Sequence, residues 1–167
     1  MSSIIFPDKR HLTKESDEFG TPQWLFDALD SVYHFDLDVC ANAQNAKCRR
    51  YFTVEDDALL QKWTGNCWMN PPYNRSIGNW VRYAKESAER RDCNVVVCLI
   101  PASTDVAWWH DYAIYGEICF LRGRIKFDGG ATSARFANAI VTFWAGLPMR
   151  RRGFVQWGLQ GGPINGK

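Results

Sequence analysis

The chain has 167 residues, 46% of them apolar and 23% charged, with a formal net charge of +2. That composition suits one folded domain with a sizeable core, argues against disorder, and excludes a globally basic nucleic-acid binder. No apolar run is long enough to span a bilayer and Met1–Glu15 lacks the apolar core of a signal peptide, so a cytoplasmic protein is expected.

Residues 1–16 are polar and aperiodic and read as a flexible arm. Thr21 is suited to cap a helix and Pro22 to its first turn, with Trp24, Leu25, Ala28, Leu29 and Val32 following at helical spacing. Phe35–Val39 alternates as a short strand with Asp38 near its end. A turn of small residues without glycine, Cys40-Ala41-Asn42, follows it. Tyr51-Phe52 reads as another short strand, and Asp57-Ala58-Leu59 leads into a helix reaching Trp63. The chain between Asp38 and Asn70 is too short for two full βα units, so the middle of the sheet should be abbreviated.

Cys67-Trp68-Met69 is a short apolar strand that stops at Asn70-Pro71-Pro72-Tyr73. Proline fixes φ and has no N–H, and it drives the residue before it out of the α region. Asn70 is therefore expected at a rigid strand end, the place where open α/β sheets bind ligands. Its amide oxygen and the Pro71 carbonyl would offer two acceptors to a substrate –NH2 group, and Tyr73 a flat ring for a planar base.

Ser76 can cap the next helix, which runs to Arg91 with Ile77, Trp80, Val81, Ala84 and Ala88 on one face. Asn94–Ile100 is continuously apolar and reads as a central parallel strand buried on both faces. After the loop from Pro101 comes a helix over Asp105–Ile114, capped by Thr104, in which Trp108 and Trp109 read as packing residues. Glu117–Leu121 and Ala137–Trp144 are strands with no helix between them, so they should pair antiparallel. The whole is a mostly parallel α/β sheet with an antiparallel hairpin edge, over 17–146, and a flexible basic, Gly-rich tail over 147–167.

Basic residues cluster at Lys47, Arg49 and Arg50, at Arg122, Arg124 and Lys126, and at Arg150–Arg152. Such clusters can converge on one phosphate-facing surface. The six cysteines include no C-x-x-C pair and several fall in apolar runs, so no metal site is expected.

Asn70-Pro71-Pro72-Tyr73 resembles the [DNS]-P-P-[YFW] signature of amino methyltransferases. With Thr21-Pro22-Gln23-Trp24-Leu25-Phe26 and Arg122-Gly123-Arg124-Ile125-Lys126-Phe127, it makes residues 17–145 similar to the phage-encoded DNA N6-adenine methyltransferase family. That resemblance implies an abbreviated class I, Rossmann-like methyltransferase fold, S-adenosyl-L-methionine as methyl donor, and adenine in DNA as acceptor. It implies catalytic roles for Asn70, Pro71, Pro72 and Tyr73. It places Thr21, Pro22, Asp38, Cys40, Ala41, Asp57 and Ala58 at the cofactor, and Arg122, Arg124, Lys126 and Arg135 on DNA. The same motif admits cytosine N4, an RNA base or a glutamine amide as acceptor, and the absence of glycines after Asp38 admits a silent DNA-binding module.

Overall fold

In the computed structural model, side chains are described for residues 20–127 and 134–147, and backbone alone for 154–158 and 162–163. The expected arm over 1–16 and the Arg150–Arg152 cluster lie outside the described residues.

Three helices occur among those residues: α1 (Gln23–Tyr33), α2 (Ile77–Glu89) and α3 (Ala107–Asp111). The strands are β1 (Leu37–Asp38), β2 (Arg50–Tyr51), β3 (Asn66–Met69), β4 (Val95–Pro101), β5 (Glu117–Arg122), β6 (Asn138–Trp144), β7 (Phe154–Gly158) and β8 (Gly162–Pro163). They form one sheet in the order β2-β1-β3-β4-β6-β5-β7-β8. The first four of these neighbours are mutually parallel, and β6 runs antiparallel to both β4 and β5. This is the abbreviated, mostly parallel Rossmann-like methyltransferase fold that the sequence implies.

The antiparallel strand does not sit at the edge, however. It is inserted between β4 and β5, because every residue from Asn138 to Phe143 is buried and such a strand needs cover on both sides. Past Gly146, where a loose tail was expected, β7 pairs parallel with β5 and β8 antiparallel with β7.

β4 shows how the core is divided. All seven of its residues are buried. Val96, Cys98 and Ile100 face a cluster with α2, Trp63 and Trp109, while Val95, Val97 and Leu99 face α1, Trp68 and Phe127. The sheet is therefore covered on both faces, and its ligand side is left at the strand ends.

Several local expectations change. The helix predicted to reach Trp63 is a single 3-10 turn, Ala58–Leu60, pinned where the Trp63 indole N–H donates to the Ala58 carbonyl at 2.8 Å. The helix predicted over 105–114 is split into α3 and a 3-10 turn at Ala113–Tyr115, and neither Thr104 nor Ser76 caps a helix through its side chain. Ahead of α2 the Asn74 carboxamide takes that part, accepting from the Ser76 N–H at 2.8 Å and its hydroxyl at 2.6 Å.

Candidate active site

The sheet order reverses at β1. The chain leaves β1 for β2 on one side and returns to β3 on the other, and the crevice at such a switch point is where open α/β sheets bind ligands. A cleft open to solvent lies there. Its wall brings together Thr21, Asp38, Cys40, Ala41, Asp57, Ala58, Asn70, Pro71 and Pro72, from segments far apart in sequence.

Thr21 departs from its expected role. Helix α1 has Pro22 at its cap position and no side-chain cap bond. Thr21 is instead 3% exposed, and its hydroxyl oxygen accepts from Asn70 Nδ2 at 3.0 Å. An amide has one donor end and one acceptor end. A bond that engages the nitrogen therefore selects the direction of the oxygen. The helix start and the strand end are joined so that Asn70 is held in one orientation beside the cleft.

The loop after β1 has no glycine, and polar side chains shape it. Asp38, 3% exposed, accepts from the Cys40 N–H at 3.2 Å and the Lys47 N–H at 3.1 Å, one with each carboxyl oxygen. Burial pushes the Asp38 carboxyl above its ordinary value, and the two N–H groups oppose that push. Asn42 and Asn45 hold the turn reciprocally: the Asn42 N–H donates to Asn45 Oδ1 at 2.7 Å and the Asn45 N–H to Asn42 Oδ1 at 3.0 Å. So Asp38 lines the cleft but spends its oxygens on the loop's backbone.

At the other end, Asp57 adopts a left-handed conformation (φ 51°) that starts the 3-10 turn, and it lines the cleft with Phe52, Ala58 and Trp80. This end combines flat apolar walls with one carboxylate. Near Thr21, Lys47 donates to Gln23 Oε1 at 3.0 Å and is the one cation among the described lining residues.

The sequence profile of the DNA N-6-adenine-methyltransferase (Dam) family matches residues 9–154. The chain belongs to that family. A DNA N-6-adenine-methyltransferase of Haemophilus phage HP1 is 32% identical over 128 residues, 72% of this chain and 72% of that protein. A second, of Escherichia phage T1, is 32% identical over 96 residues, 56% of this chain and 39% of that protein.

In this adenine-specific DNA methyltransferase, the Tyr73 side chain is held by four residues among those described. Its hydroxyl donates to the Leu99 carbonyl at 3.1 Å and accepts from Asn138 Nδ2 at 3.3 Å. The rings of Phe127 and Phe136 meet it edge-on at 5.9 and 5.3 Å. Burial raises the Tyr73 phenol well above its ordinary value, so it stays protonated.

Those two phenylalanines come from the basic segment. Ile125 and Phe127 are buried and Phe136 half-buried, while Arg122, Arg124, Lys126 and Arg135 are exposed. The Ala134 N–H donates to the Ile125 carbonyl at 2.8 Å and closes the base of the excursion. Alternation thus turns the apolar side chains toward Tyr73 and the cations to solvent beside it.

Three cleft or site residues of this methyltransferase carry no such role in the sequence reading. Lys47 reads only as part of a surface cluster, Trp80 only as core, and Asn138 as one polar letter in an apolar strand. The Lys47 signal lies in its place within the loop that follows the acidic strand end; the other two have no local signature.

Proposed function

We propose that this methyltransferase carries methyl from S-adenosyl-L-methionine to the N6 amino group of an adenine flipped out of DNA, in the cytoplasm of a bacterial host. The observation that carries the reading is the Asn70 amide, oriented by buried Thr21 and next to Pro71 in the wall of the cleft, in a member of this family.

The cleft's chemistry fits an adenosyl amino acid. Phe52, Val54, Ala58 and Trp80 give apolar walls for a flat purine, and Asp57 offers an acceptor for its amino group. Lys47, at the opposite end beside α1, would hold the carboxylate. When bound, the cofactor supplies an electrophilic methyl on a positively charged sulfur.

The protein's own part is orientation. An adenine amino group is a weak nucleophile because its lone pair is delocalised into the ring. Asn70 Oδ1 and the Pro71 carbonyl would each accept one of its hydrogens, favour a tetrahedral nitrogen and aim the lone pair into the cleft. Positioning and fixed dipoles of this kind lower the barrier without a covalent enzyme intermediate. The Tyr73 ring would take the flipped base against its face. Arg122, Arg124, Lys126 and Arg135 would hold phosphates, giving an affinity that falls with salt.

Two titrations test this. S-adenosylhomocysteine should bind in calorimetry, more weakly to Asp57→Ala; no binding by the wild type refutes the cofactor. DNA with 2-aminopurine in place of adenine should brighten when enzyme and S-adenosylhomocysteine are added; unchanged fluorescence on a bound duplex refutes flipping.

A further inference from the structure

We propose that Asn138 is a positioning residue that aims the Tyr73 ring, acting through the tyrosine hydroxyl. The inference rests on the reading of Tyr73 as the ring that holds the base.

Asn138 opens β6, opposite Pro101 of β4, and is 1% exposed. Its Nδ2 reaches Tyr73 Oη at 3.3 Å, while the Oη hydrogen goes to the Leu99 carbonyl at 3.1 Å. A phenol has one hydrogen to give. With that hydrogen committed to Leu99, Tyr73 has none for a substrate and contributes through its ring. The hydroxyl sits at the far end of that ring, where a fixed point controls tilt. Leu99 alone would leave the ring able to pivot about one bond. Asn138 adds a second bond to the same oxygen from the neighbouring strand, and the rings of Phe127 and Phe136 pack against the tyrosine at steep angles.

The rest of the Asn138 amide shows why packing does not explain this residue. Its Oδ1 is buried and has no hydrogen-bond partner among the described residues. A buried acceptor left unmet destabilises a fold, and an apolar side chain of similar shape would remove that burden. β6 is otherwise apolar from Ala139 to Phe143 apart from Thr142, so leucine would suit the core at 138. A polar group kept against stability belongs to the function its other atom performs, here the donor on Tyr73.

The test is Asn138→Leu, alone and combined with Tyr73→Phe, read by melting temperature, S-adenosylhomocysteine affinity and single-turnover methyl transfer to DNA. Asn138→Leu should melt no lower than the wild type and bind S-adenosylhomocysteine equally well. It should transfer methyl roughly 10- to 100-fold more slowly, the scale of a small misplacement. In the Tyr73→Phe background the same substitution should add no further loss, because both act through one contact. Wild-type transfer by Asn138→Leu, an additive loss in the double variant, or a melting temperature that falls together with the rate would each overturn the proposal. Asn138→Ala carries the same expectation for the cycle and serves if the leucine variant does not fold. Full activity in Tyr73→Ala would instead refute the base-holding role itself.

Discussion

The Thr21–Asn70 contact makes the most searching prediction. Thr21→Val keeps the shape and apolar volume of a buried residue and removes only the oxygen that accepts from Asn70 Nδ2. Depriving a buried donor of its acceptor costs about 1–3 kcal/mol. On a domain of this size each kcal/mol lowers the melting temperature by about 2–4 °C, so a fall of roughly 2–12 °C is expected. The catalytic effect is separate. The Thr21 bond favours one of the two amide orientations, and a bias of about 1.4 kcal/mol corresponds to a tenfold preference. Once reversed, the amide would present a donor to the hydrogens of the adenine amino group. Reversal and looser aim both reduce the competent fraction, so turnover should drop about tenfold. Thr21→Ser, which keeps the oxygen, should stay near wild type. Steady-state methyl transfer to DNA and a thermal melt read both effects. Wild-type turnover in Thr21→Val, or a serine variant as slow as the valine one, would refute the reasoning.

Asn70→Ala should bind S-adenosylhomocysteine normally while turnover falls by about 10²-fold or more, the scale of removing one hydrogen bond to a transition state; near-full turnover would remove Asn70 from the mechanism. Arg122→Ala with Arg124→Ala should weaken DNA binding at every sequence and reduce the slope of log affinity against log salt by about 0.9 for each phosphate no longer neutralised. An unchanged slope puts the phosphate-binding cations elsewhere. Burial raises the Asp38 carboxyl. Since its folded value exceeds its unfolded one, ionised Asp38 costs folding stability at higher pH, and that cost fades as the pH falls through the folded value. Protonation also weakens its hold on the Cys40 and Lys47 N–H groups, so S-adenosylhomocysteine affinity should decline over the same pH window. A flat affinity profile, measured by calorimetry across that window, would contradict the role given to Asp38.

The strand end that carries Asn70 is legible because its signals are local. Two prolines stop β3 at Asn70 whatever the rest of the chain does, and the apolar run of β4 admits only a central strand. The role of Thr21 is not legible, because a Thr-Pro ahead of a helix reads as a cap. Only folding brings its hydroxyl to a residue forty-nine positions away. The loop after Asp38 is similar. Missing glycines look like a defect in the sequence, yet Asp38, Asn42 and Asn45 hold the same turn through side-chain acceptors. Asn138 is the least readable. One asparagine in an apolar strand gives no periodicity to follow, and its meaning comes wholly from the tyrosine that β6 brings it beside.

The most direct measurement of the central claim is to incubate the purified chain with labelled S-adenosyl-L-methionine and unmethylated DNA, digest the product to nucleosides and separate them, with Asn70→Ala in parallel. Label in N6-methyladenine from the wild type, and little or none from Asn70→Ala, is the predicted result. Label in N4-methylcytosine, or none in DNA from a wild-type protein that binds the cofactor, would contradict it.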